Sequence, residues 1–145
     1  MRCDICGAEA ALQWRPGAEV VVGTVAGVLD RRPVLVCAQG HVHAVPGAPA
    51  AALSAVETQL PQARGRWRRG DTCAACKAAL DLPVRRTRRS VTVTEGGVAV
   101  HTLHLDVPMS RCGDCGTDQL PTRSRSDLQG VVAAVYRPDE AAGDG

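Results

Sequence analysis

Apolar residues fall in short runs along this chain, and turn-forming residues separate the runs. Leu12–Trp14 is a first run and Val20–Leu29 a second, the latter interrupted by Gly23 and Gly27, which weaken it as a strand and suggest bulges. Asp30-Arg31-Arg32-Pro33 reads as a turn, because proline disfavours the helical region at the residue before it. Val34–Val36 then resumes as a strand, so the first third predicts a hairpin that runs out and back. Pro46-Gly47-Ala48-Pro49 punctuates the chain. Ala50–Leu60 is rich in alanine, with Leu53, Val56 and Leu60 at helical spacing, and predicts a short helix that covers this hairpin and ends at Pro61.

The pattern then switches to period two. In Ser90–Thr94, Val91 and Val93 alternate with Thr92 and Thr94. Glu95-Gly96-Gly97 predicts a hairpin loop, and Val98–Val107 returns with Ala99, His101, Leu103, Leu105 and Val107 on one face and His104 opposite. His101 therefore reads as a packed strand residue. Pro108 is expected to break that strand. The arginines of Arg85–Arg89 fall on both faces of the outgoing strand, so that end of the hairpin is expected to project into water. A last amphipathic stretch, Ser124–Tyr136, predicts a helix with Leu128, Val131, Val132 and Val135 in one stripe.

Composition sharpens this picture. The chain has 145 residues with no Phe, two Trp and one Tyr, so its apolar content is mostly Ala and Val. Small modules with thin cores usually need staples, and seven cysteines are available. Cys73 and Cys76 form one CxxC pair and Cys112 and Cys115 another, with residues 77–111 between them, a spacing that predicts a four-thiolate zinc site. Cys3 and Cys6 open the chain as a further knuckle. Cys37 and His41 answer them after residues 7–36, with His43 as the alternative imidazole. Two zinc ions per chain are expected. The spacing, and the lack of an apolar run like that of a secretory leader, predict reduced thiols in a cytoplasmic protein; no membrane span is expected.

The expected architecture is therefore small, zinc-stapled, β-rich and α+β. It comprises two tandem zinc ribbons, each a hairpin between knuckles followed by a short helix. Residues 1–60 form the first unit, 61–70 an arginine-rich linker, 71–136 the second unit and 137–145 a disordered tail.

From Cys73-x-x-Cys76 through Leu105-Asp-Val-Pro108 and Cys112-x-x-Cys115-Gly116 to the trailing helix, the second half resembles the YgiT-type zinc finger, the metal-binding half of MqsA-like antitoxins. In that family the zinc domain binds a toxin protein, and a separate helix-turn-helix binds DNA. The residues after the last helix are too few for such a segment, so the expectation from the resemblance is a structural metal site and a protein contact rather than a repressor.

No paired carboxylates, nucleophile motif or phosphate loop stands out, and no enzyme activity is expected. The leading expectation is a non-catalytic interaction or adaptor module with an unidentified protein partner. The alternative is nucleic-acid binding through Arg64, Arg66, Trp67, Arg68 and Arg69 with Arg85, Arg86, Arg88 and Arg89. Residues 64–89 hold nine basic residues against Asp71 and Asp81, although the net charge is only +2. All but one of the 17 basic residues are Arg, so an arginine-rich composition explains part of that excess.

Overall fold

The computed structural model describes residues 2–66, 70–80, 83–95 and 98–138. Trp67, Arg68 and Arg69, the Gly96-Gly97 loop and the tail from 139 lie outside the described residues, and so does the side chain of Arg66.

The strands are β1 (Ala10–Arg15), β2 (Val20–Val22), β3 (Val25–Leu29), β4 (Arg32–Cys37), β5 (Val42–Ala44), β6 (Arg64–Arg66), β7 (Gly70–Thr72), β8 (Ala79–Leu80), β9 (Arg85–Glu95), β10 (Val98–Arg111) and β11 (Asp118–Gln119). The helices are α1 (Ala48–Gln59) and α2 (Arg125–Val135), the second entered through a 3-10 turn, Thr122–Ser124. A small β-rich structure with two helices was expected, and it is found.

The first unit departs from a simple hairpin. Leu12–Trp14 belongs to β1, which pairs antiparallel with β4 from Ala10↔Cys37 to Arg15↔Arg32, and β5 completes that sheet. The run Val20–Leu29 folds back on itself at Gly23, whose φ of 54° suits glycine, to give the β2–β3 hairpin. β3 then leaves its own unit and pairs with β10, from Leu103↔Leu29 to Asp106↔Ala26. A larger sheet of order β9-β10-β3-β2 results, with β11 on the far end of β10. A third sheet, β6-β7-β8, occupies the stretch read as linker and the start of the second knuckle.

Both helices pack on this larger sheet and touch each other. α1 lies against β9, with Ala52, Val56 and Leu60 buried among Val91 and Val93, rather than over the first ribbon as the sequence suggested. It also starts two residues early, since proline is tolerated in the first helical turn. α2 brings Leu128, Val131, Val132 and Val135 onto β3 and β2. The approach is close at Gly27, where a Cβ would stand 2.6 Å from Val131 Cγ1 and 3.1 Å from Leu105 Cδ2. Pooling small side chains from residues 20–136 into one layer is how a chain without Phe assembles a core.

One local expectation is corrected and another is refined. Pro108 does not end its strand, because β10 runs on to Arg111. Pro108 faces Arg86, a position that exchanges no bonds with β9, and β3 has ended by that point, so no ladder bond is lost. The arginine end of the hairpin is exposed at Arg85, Arg86 and Arg88, as expected, but its β10 side is held against the core. It pairs with β10 as far as Arg85↔Met109, where Val107 and Met109 are buried.

Candidate metal centres

Three of the four turns that carry the cysteines share one local design. In each, the first cysteine accepts a hydrogen bond from the N–H four residues on: Gly7 to Cys3 (2.8 Å), Lys77 to Cys73 (3.0 Å) and Gly116 to Cys112 (2.9 Å). That fourth residue has a positive φ of 71°, 66° and 77° respectively. Glycine supplies this conformation freely at positions 7 and 116, whereas Lys77 holds it against the steric preference of a side chain. The Cys37 turn is one residue shorter, with Gly40 at φ 85° and its N–H on the Cys37 carbonyl at 2.9 Å.

These turns bring two groups of side chains together. Cys3, Cys6, Cys37 and His41 form one, and Cys73, Cys76, Cys112 and Cys115 the other; in each, the ligand atoms lie within 4.8 Å of one another. Both groups could hold a metal ion. The seven cysteines are free thiols. Sulfur pairs stand at 3.7 Å (Cys6–Cys37), 3.5 Å (Cys73–Cys115) and 3.5 Å (Cys76–Cys112), far beyond a disulfide. A tetrahedral ion with sulfurs at about 2.3 Å would have sulfur–sulfur edges of about 3.8 Å, and sulfur–imidazole edges of about 3.6 Å. His41 Nδ1 lies 3.6 Å from Cys3 Sγ and 3.3 Å from Cys37 Sγ. The residues present therefore fit a zinc ion in both places.

His43 is close but differently placed. Its Nε2 contacts Cys3 Sγ at 3.1 Å, and it lies outside the group of four. It suits a hydrogen bond that orients a ligand, the way supporting residues behave around metal sites.

The second centre has a support that the spacing of cysteines does not reveal. Gln119 is fully buried. Its Nε2 donates to Cys73 Sγ at 3.1 Å, and its Oε1 accepts from the Ala74 N–H at 2.8 Å. The Ala75 N–H points at Cys73 Sγ at 3.4 Å, and the Thr117 hydroxyl sits 3.2 Å from Cys115 Sγ. A glutamine four places after the closing Cys115 was the available signal, and it is a weak one.

These contacts divide the thiols. Backbone N–H groups of the Cys76 turn and the Gln119 amide pull Cys73 down to about 6, against burial. At Cys3 burial pushes the thiol up, but the N–H of Cys6 and the His43 imidazole outweigh it and hold the group at about 6. Cys76 is pushed up to about 12: the Ala78 N–H favours its thiolate, but Cys112, burial and the other cysteines oppose a further negative charge. Cys3 and Cys73 are thus drawn toward the thiolate, whereas Cys76 would need the positive charge of an ion to ionise.

Among the described residues, Arg64 and the arginines that begin at Arg85 border different grooves. Arg64 lines a groove with Glu57, Gln62 and Arg125. Arg85, Arg86 and Arg88 line another, of about 780 Å³, beside Cys112 and Gly113. Several are already engaged. Arg86 pairs with Asp106 at 3.1 Å and donates to the Thr24 carbonyl at 2.8 Å. Arg89 pairs with Asp118 at 3.3 Å, and Arg111, which the sequence reading passed over, shares that carboxylate at 3.1 Å. His101 is buried, as expected, with Nε2 2.5 Å from the Tyr136 hydroxyl. No helix among the described residues is long and apolar enough to cross a membrane.

Compared with family models, with curated proteins and with solved structures, the chain matches none of them.

Proposed function

We propose that the chain is a non-catalytic zinc protein whose two metal ions staple its small sheets, so that it presents a rigid surface to a protein partner. The supporting observation is the count of donors: each group supplies four protein ligand atoms within 4.8 Å of one another. A zinc ion that acts on substrate keeps a position open for water, and four protein donors leave none. The second centre would carry two negative charges, which lowers its Lewis acidity further. The resemblance to YgiT-type fingers points the same way, since it implies a structural metal and a protein contact.

A second reading has one observation in its favour. Arg85, Arg86, Arg88 and Arg111 border one groove of about 780 Å³, where a phosphate backbone would meet several guanidinium groups. The ion pairs to Asp106 and Asp118 reduce the charge it can offer.

One experiment separates the two. The zinc-loaded protein is titrated with labelled DNA and RNA across a salt series, and in parallel used to co-purify partners from source-cell extract. The interaction reading expects a stoichiometric protein retained by wild type and lost with Cys112→Ser, and no salt-dependent nucleic-acid binding. Steeply salt-dependent binding without a retained protein would transfer the function to the groove.

A further inference from the structure

β9 forms one edge of the larger sheet, and Gln59 of α1 reveals how that edge is oriented. The Gln59 amide donates to the Thr92 carbonyl at 2.7 Å and accepts from the Thr92 N–H at 2.9 Å, so a side chain stands where a neighbouring strand would. Thr92 therefore turns its backbone groups away from β10. The β9–β10 register is unbroken from Arg85↔Met109 to Val93↔His101. Outward orientation then recurs every second residue, at Ser90, Arg88 and Arg86. Among the described residues, nothing bonds to the outward N–H and C=O groups of these three. Helix α1 closes one position of the edge, and the next three remain open.

An open edge is a template for another strand. Its side chains define the guest. Arg85, Arg86 and Arg88 are exposed and lie on both faces of the strand, and Arg111 borders the same groove. Opposite charges across paired strands attract and like charges repel. A second copy of this edge would set arginine against arginine. A DNA backbone could accept from the N–H groups but has no donor for the outward carbonyls, and an RNA backbone offers only its 2′-hydroxyls, which do not alternate with acceptors at the spacing of a strand. An extended peptide with acidic side chains satisfies both.

We propose that the edge of β9 over Arg86–Ser90 receives an extended acidic segment of a protein partner, which adds a strand to the sheet; this rests on the interaction reading above and names its surface.

The test uses the full zinc-loaded chain and a fluorescein-labelled peptide, Glu-Val-Glu-Val-Glu-Val-Glu, followed by anisotropy at low salt and by amide exchange. Ser90→Pro removes an outward N–H and no bond to β10. It should weaken binding about tenfold or more, as losing a paired strand position would, while Ser90→Ala leaves binding unchanged. Arg88→Glu should weaken it comparably. In wild type the amides of Arg86, Arg88 and Ser90 should slow on peptide addition, whereas those of Thr87 and Arg89 are slow throughout. Zinc content and circular dichroism confirm that the variants fold. Equal affinity in Ser90→Pro, exchange that ignores the alternation, or single-stranded DNA competing as well as the peptide would each overturn the edge. A wild-type protein that ignores the peptide yet retains a protein in co-purification would overturn the edge and leave the interaction reading standing.

Discussion

Gln119 holds Cys73 from outside the ring of ligands: one end of its buried amide donates to the thiol sulfur at 3.1 Å, and the other fixes the Ala74 N–H at 2.8 Å. The residue thereby ties the closing strand β11 to the opening knuckle, 46 positions earlier. Supporting residues of this kind keep a ligand oriented before the ion arrives.

Gln119→Leu should therefore lower zinc affinity at the second centre by about 10- to 100-fold. Competition against a chromophoric chelator measures it, with the first centre as internal reference. An unchanged affinity would mean that Gln119 is a packing residue only.

Lys77 occupies with φ 66° the place that Gly7 and Gly116 fill in the equivalent turns. Lys77→Gly should relieve about 1–2 kcal/mol of backbone strain against about 0.4–1 kcal/mol of added unfolded-chain entropy, and so raise stability by up to about 1.5 kcal/mol. Denaturant melts of the zinc-loaded protein give the value. A loss of stability would show that the Lys77 side chain contributes more than its backbone costs.

The candidate metal ligands were legible because CxxC spacing is a local signal whose chemistry does not depend on what lies between the knuckles. Cys73, Cys76, Cys112 and Cys115 assemble as expected, and His41 rather than His43 joins Cys3, Cys6 and Cys37. The two helices and the β9–β10 hairpin were legible for the same reason, since their periodicity is contained within each segment. What the sequence hid is where segments go next. Nothing in Val20–Leu29 states that its second half will pair with β10, some 75 residues later. The two glycines taken as bulges were the trace of it: Gly23 makes the turn, and Gly27 leaves room for α2. Pro108 misled because a missing N–H matters only on a paired side of the strand.

The contact at Gly27 offers a direct test of that shared sheet. Gly27→Ala places a methyl group 2.6 Å from Val131 Cγ1 and should destabilise the protein by about 1–3 kcal/mol through overpacking. Zinc stoichiometry should not change, because neither centre borders this contact. A neutral effect on the melting transition would contradict the close packing of α2 on β3.

Burial pushes the His101 imidazole below its ordinary value. The native state therefore binds this proton less readily than the unfolded chain does. The stability it contributes is fully present above about pH 6.5 and is lost as pH falls through the lower native value. Ring carbon shifts of His101, followed by NMR from pH 8 downward, should give a midpoint below 6.5. A midpoint at 6.5 would contradict its burial against Tyr136.

Zinc content measured together with folding tests the account most directly. Elemental analysis of the purified protein should return close to two zinc ions per chain, one for each group of four ligands. Removing them with a strong chelator should abolish the cooperative melt, and restoring zinc should return it, because binding and folding are one equilibrium in such small domains. A chain that carries no zinc, or that keeps its native melt after the metal is stripped, would contradict the stapling role assigned to both centres.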